Sequence, residues 1–342
     1  MAVLAWWWWW RGGGELVVDA GLRGHLQNLF FACIGLSSNG PTVKGAAARA
    51  GSLWAIAIAV SIAQNAVGIA LALMTGAPAA LGIACGSASL MEGPAAGLAY
   101  AARFEAAGLA GAGAICVSAS AFGIIAASLL GNPVATRLIR KAGEPAAPAL
   151  GPTPYASAGL HLAVLVILAW SGLFSSRALA GAGLRPAIPP YIAALTLGLA
   201  ARALHDKAGG LTLHVPTLRR LGAILSSLFL AHAMMDLRLE QLIALDRRSV
   251  FILAVEIGMT VILTERLIRW RMGVEYEGAV ATAGSIGFAL GITPNVVANM
   301  TVLGRRYGPA PEAMLAVPIV GTFLAGLSGP LVVDVFLALI KR

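Results

Sequence analysis

Long apolar runs alternate along the chain with short basic or Gly/Pro-rich breaks. They fall at residues 25–38, 51–75, 107–136, 159–176, 188–204, 221–238, 249–270 and 312–340. A helix needs about 20 apolar residues to cross the hydrocarbon core of a bilayer, so these runs predict eight helices of membrane-spanning type. The first is short. The runs 107–136 and 312–340 exceed a simple span and predict tilt or a break, supplied by Gly123, Gly131 and Pro133 in one and by Gly326, Gly329 and Pro330 in the other.

Two further stretches, 78–100 and 278–302, are apolar but too rich in Gly, Ser and Pro for a simple span. Unpaired backbone N–H and C=O groups cannot face lipid, though they can line a cavity inside the protein. Both stretches are therefore expected to be re-entrant, broken helices.

The order of segments repeats. Leu29-Phe30-Phe31-Ala32 is echoed by Leu228-Phe229-Leu230-Ala231, Ser52-Leu53-Trp54 by Ser249-Val250-Phe251, and Cys85-Gly86-Ser87 by Ala283-Gly284-Ser285, at a nearly constant offset. Each copy ends on a basic pair, Arg140-Lys141 and Lys341-Arg342. Five helices between equivalent points insert the copies oppositely, which predicts an inverted repeat with its binding site at the paired broken segments. Chance similarity among Ala/Gly-rich apolar segments is the competing explanation. The expected division is an atypical Trp-rich N-terminus (1–22), an incomplete first repeat (23–141), a connector (142–158) and a second repeat (159–342).

Composition agrees: 58% of residues are hydrophobic, 11% are charged, and the mean hydropathy is +0.83, far from soluble domains. The net charge of +9 resides in residues between apolar runs. That pattern fits loops facing anionic lipid and not a nucleic-acid face, for which basic residues cluster on one soluble surface. Cys33, Cys85 and Cys116 lie inside apolar segments without a CxxC or His-rich partner, so neither disulfide nor metal is expected. No GxSxG, HExxH or Walker motif is present and the carboxylates are scattered, which argues against an enzyme.

Several blocks carry a resemblance to the sodium/glutamate symporters: LFFACIGL (29–36), QNAVGIALALMTGAPAALGIACGS (64–87), LSSLFLAHAM (225–234) and WRMGVEYEGAV (270–280). The most specific are GFALGITPNVVANM (287–300) and RRYGPAPEAMLAVPIVGTF (305–323). The resemblance implies ten helices in two inverted five-helix repeats, each with a re-entrant segment. It further implies sodium-coupled glutamate uptake by a homodimer in the cytoplasmic (inner) membrane, with an elevator-like motion and sodium as coupling ion without any other cofactor. The family's first two helices would precede residue 23, so a truncated or misassigned start at Trp6 to Trp10 is expected. A proton-coupled or sodium-independent carrier of another carboxylate, or an inactive shortened paralogue, remains an alternative.

Glutamate needs cationic or N–H donors for two carboxylates and an acceptor for its amine, whereas sodium needs several oxygens. Half-helix N-termini supply the first, and unwound carbonyls with hydroxyl or amide oxygens the second. In the second segment the candidates are Ser285, Thr293, Asn295 and Asn299. Gly287 and Gly291 allow close backbone approach, and Pro294 frees a carbonyl. In the first they are Ser87, Ser89, Gly93 and Gly97. Ser89, Thr293, Asn295 and Asn299 are the candidate sodium ligands. The same small residues would also serve tight helix packing.

The chain departs from the family pattern here. Where the family usually shows Gly-Gly-His-Gly-Thr-Gly, this sequence reads Glu92-Gly93-Pro94-Ala95-Ala96-Gly97, and Gly326 and Gly329 stand where Asp and Asn are common. Glu92 and Glu256 are consequently coupling candidates. Intramembrane ionisable groups are functional candidates by default, which adds His232 and Asp236, four apart, although a structural pair or a helix end explains these equally. Gln64 and Asn65 suit either interhelical bonding or transport.

Overall fold

The computed structural model describes residues 20–143, 157–183, 187–208, 213–235 and 245–340, and every regular element among them is helical. The Trp-rich start, most of the connector, Asp236 and the Lys341-Arg342 pair lie outside the described residues.

Contacts divide the chain into two units, residues 1–48 with 146–236 and residues 49–145 with 237–342. In the first, α1 (Ala20–Ser37), α7 (Ala158–Gly181), α8 (Pro190–Ala208) and α9 (Val215–Met235) pack through small residues. A Cβ on Gly198 would lie 2.7 Å from the Ala32 carbonyl oxygen, and one on Gly172 would meet the Ala194 Cα at 2.6 Å. Backbone contact of this kind is how helices associate where lipid tails offer no hydrophobic drive. Cys33 is fixed by donating to the Leu218 carbonyl at 3.1 Å.

The second unit holds most of α2 (Gly40–Met74), followed by α3 (Ala79–Cys85), α4 (Ser87–Leu90), α5 (Gly93–Glu105) and α6 (Ala112–Ala142). It continues with α10 (Arg247–Met272), α11 (Tyr276–Ala289), α12 (Thr293–Tyr307), α13 (Pro311–Ile319) and α14 (Ala325–Ile340). Helix α2 starts where Asn39 Oδ1 accepts from the Thr42 N–H at 3.1 Å, with Pro41 in the first turn. Ion pairs tie its elements together: Arg49 to Glu312 at 2.7 Å and Arg137 to Glu265 at 2.7 Å. Both stretches expected to be broken are broken, 78–100 into α3, α4 and α5 and 278–302 into α11 and α12, and both belong to this unit.

Among the described residues four helices are long and apolar enough to cross a membrane: α2, α6, α7 and the composite Pro311–Ile340. The other four expected spans are present as helices, but α1, α8 and α9 are shorter and α10 carries Glu256, Glu265, Arg266 and Arg269.

The two expected breaks in the long helices are corrected. Helix α6 runs unbroken through Gly123, Gly131 and Pro133. Neighbouring helices re-satisfy the backbone that a membrane proline frees. In 312–340 the irregularity comes earlier, as a π-helical turn at Val320–Leu324 just after Pro318. The chain then stays helical through Gly326, Gly329 and Pro330, whose carbonyl accepts from the Tyr100 hydroxyl at 3.3 Å. A π-turn follows Pro318, whereas the helix stays regular at Pro330.

Candidate functional site

The first break is held by α2 and α6. Helix α3 ends at Cys85, and Gly86, at φ −90° and ψ −137°, turns the chain into α4. Asn65 Oδ1 on α2 accepts from the Ser87 N–H at 3.1 Å and from its hydroxyl at 3.0 Å, replacing partners that the break removes. Ser120 on α6 donates to the Ser89 carbonyl at 2.8 Å. Gly93 opens α5 at φ +82°, a left-handed conformation that favours glycine. Gly97 lets Cys116 approach: a Cβ there would lie 2.7 Å from that of Cys116 and 3.2 Å from Ser89 Oγ.

The second break is held by the same two helices. Gln64 Nε2 on α2 donates to the Ala289 carbonyl at 2.9 Å, where α11 ends. Helix α12 starts at half-buried Thr293 with Pro294 in its first turn. Asn295 Nδ2 donates to the Ile124 carbonyl at 2.8 Å and the Ser128 hydroxyl at 2.9 Å. Asn299 Nδ2 donates to the carbonyls of Ala127 and Ala283, both at 3.1 Å. Gly287 packs on the Val296 backbone, 2.9 Å from its absent Cβ, and Gly291 against the Gly287 carbonyl at 2.8 Å.

The two breaks meet on α6. A Cβ on Gly123 would collide with the Leu290 carbonyl and come within 2.7 Å of Leu90 Cδ2, while one on Gly131 would strike the Asn299 amide. At Gly93 a Cβ would lie 3.3 Å from Ile292 Cγ2, so the N-termini of α5 and α12 adjoin. Each presents the positive end of a helix dipole to the same neighbourhood. Ser89 Oγ, Ser285 Oγ and Asn295 Oδ1 are each buried without a hydrogen-bond partner. Buried polar atoms left unpaired ask for a ligand, an ion or a water.

Ser89, Gly97, Asn295 and Asn299 thus touch α6, with the Asn295 and Asn299 amide nitrogens already engaged in holding the fold, whereas Ser87 is held by α2. Glu92 is half-buried at the entry to α5, makes no capping bond to it, and lies against Gly329. Glu256 lies apart, buried in α10. His232 belongs to α9 in the other unit. Sequence reasoning overlooked Ser120 and Ser128 and took Gly123 and Gly131 for helix breakers. Their signal was the stripe of small residues Gly123, Ala127 and Gly131, four apart on one helix face.

The profile of the sodium/glutamate symporter family matches residues 1–149 and 157–309. The chain belongs to this family. It is 30% identical over 339 residues to the sodium/glutamate symporter of Escherichia coli (strain K12), across 95% of this chain and 84% of that one. To the sodium/glutamate symporter of Haemophilus influenzae it is 27% identical over 341 residues, covering 94% of this chain and 84% of the relative. Within a family of symporters, paired broken helices meeting on one long helix are the feature to which a small charged substrate and its coupling ion would be assigned.

Proposed function

We propose that this chain is a sodium-coupled symporter of glutamate, working by alternating access as a multi-pass protein of the cytoplasmic (inner) membrane and assembling as a homodimer. The observation that carries the reading is the meeting of two helix N-termini, α5 at Gly93 and α12 at Ile292–Thr293. A dicarboxylate set between two such termini faces partial positive charge and free backbone N–H groups without any buried basic side chain.

Sodium is assigned to the oxygens without partners: Ser89 Oγ, Ser285 Oγ and Asn295 Oδ1. Thr293 and Asn299 complete the set, and Ser87, Gly97, Gly287 and Gly291 shape the backbone around it. Glu92 turns towards Gly329, leaving the α5 terminus open to substrate. The unit that carries both breaks acts as the transporting body.

The test is radiolabelled glutamate uptake into proteoliposomes holding the purified chain, with and without an inward sodium gradient. Accumulation above equilibrium only with the gradient is the expected result. Uptake indifferent to sodium, by protein shown to be inserted, overturns the reading.

A further inference from the structure

A polar seam between α2 and α10 shares Gln64 and Asn65 with the two breaks and adds groups that the site just described does not use. Ser61, Gln64, Asn65 and Gly68 share one face of α2, and Glu256, Thr260 and Thr264 one face of α10. The helices run antiparallel along it: Gln64 Nε2 donates to Thr260 Oγ1 at 3.0 Å, and Glu256 Oε1 lies 2.9 Å from where a Gly68 Cβ would be. Each side chain in the seam is at most 1% exposed.

Several polar atoms of the seam have no hydrogen-bond partner: both oxygens of Glu256, Gln64 Oε1, the hydroxyls of Ser61 and Thr264, and Asn65 Nδ2. No basic side chain pairs with Glu256 among the described residues. The Gly82 carbonyl, in the last turn of α3, presses on the same point beside Gly68 as Glu256 Oε1 does. A carboxylate there would face a carbonyl and the negative end of a helix, and its α10 neighbours Ile252, Leu253 and Ile257 belong with Cys85 to the buried apolar core.

Such an arrangement is tolerable with a proton or a cation between the oxygens. Sodium calls for several oxygen ligands around one point, whereas the convergence beside Gly68 brings together two, Glu256 Oε1 and the Gly82 carbonyl. A proton needs one acceptor pair. We infer that Glu256 is a proton-binding site: it is a neutral carboxylic acid in this conformation, and it exchanges its proton with water when turnover opens the α2–α10 seam. In that step the Glu256 O–H bond breaks and the proton passes to water on one side of the membrane, and the hydrated carboxylate left behind takes a proton from water on the other side before closure.

The titratable group that faces it is the Cys85 thiol on α3, which has Cys116 on α6 and Asp246 at the start of α10 in its own surroundings. Glu265, further along α10, is engaged by Arg137 of α6 and Arg269 of α10 itself, so these cations are committed elsewhere. The neutral state rests on geometry alone; only proton exchange during turnover rests on the transport reading.

Infrared difference spectra of the purified wild type against Glu256→Gln, in H2O and D2O at neutral pH, test the first part. The expected result is the carbonyl band of a protonated carboxylic acid that shifts in D2O and is missing from the variant. Only carboxylate bands would overturn the inference. The second part is read with a pH dye inside proteoliposomes under a sodium gradient. Glutamate is expected to elicit a proton signal in the wild type that Glu256→Gln loses; a signal equal in both overturns it. Failure of the transport reading itself shows separately, as wild-type protein without sodium-driven uptake.

Discussion

The carboxylate of Glu92 occupies the volume that a side chain at Gly329 would need: a Cβ built on that glycine overlaps Oε1 and lies 3.1 Å from Oε2. The Glu92 carboxylate on the first broken segment and the glycine on α14 therefore share one packing site. Gly329→Ala is expected to destabilise the protein by about 1–3 kcal/mol through overpacking. Combining it with Glu92→Gly should restore most of that loss. Thermal unfolding of the two single variants and the double variant in detergent is the check, and simply additive losses would sink the pairing.

Asn299 is a sharper probe of the second break than its size suggests. Its Nδ2 is shared between the carbonyls of Ala127 and Ala283, which ties α12 to α6 and α11 together. Asn299→Asp puts an acceptor where two acceptors already point. The loss should exceed that of Asn299→Ala and reach roughly 1–3 kcal/mol per group left unsatisfied, more with a charge. Unfolding temperatures ranked the other way would show that the amide does not hold the break.

Gly123 is where both breaks lean on α6, against Leu90 and Leu290. Gly123→Ala should leave membrane insertion intact and lower sodium-driven glutamate uptake by at least tenfold, because the added methyl separates the tips that the proposed site requires to adjoin. Wild-type uptake by correctly inserted Gly123→Ala protein would dissociate that contact from transport.

The breaks were legible because Gly, Ser and Pro inside an apolar stretch announce backbone that lipid cannot accept. The long spans were legible from length alone. What the sequence hid is the partner of each special residue. Gly123 and Leu290, or Asn65 and Ser87, become neighbours only when helices pack, so Gly123 looked like a breaker and Asn65 like one polar residue among several. Proline misled for a related reason. Pro330 and Pro318 each remove one i→i−4 hydrogen bond, yet a π-turn follows Pro318 and the helix stays regular at Pro330, a difference that no residue pattern announces. Glu92 and Gly329 were each conspicuous, but no periodicity relates residues so distant.

Asp246 offers a prediction outside the membrane-spanning segments. It caps α10 by accepting from the Ser249 N–H at 2.9 Å. Hydrogen bonding from the Ser249 hydroxyl, then from its N–H, holds the carboxyl below the usual range, against a small opposing effect of burial. A carboxyl whose folded value is lowered stabilises the fold above its unfolded value, and that contribution is lost as pH falls through the folded value. At neutral pH, Asp246→Ala should therefore cost about 1 kcal/mol. The deficit should shrink on acidification, because the wild type loses the capping carboxylate while the variant has none to lose. Unfolding curves of both proteins from neutral pH down through the acid range measure this directly; a gap that stays constant with pH would mean that Asp246 does not cap α10 as a carboxylate.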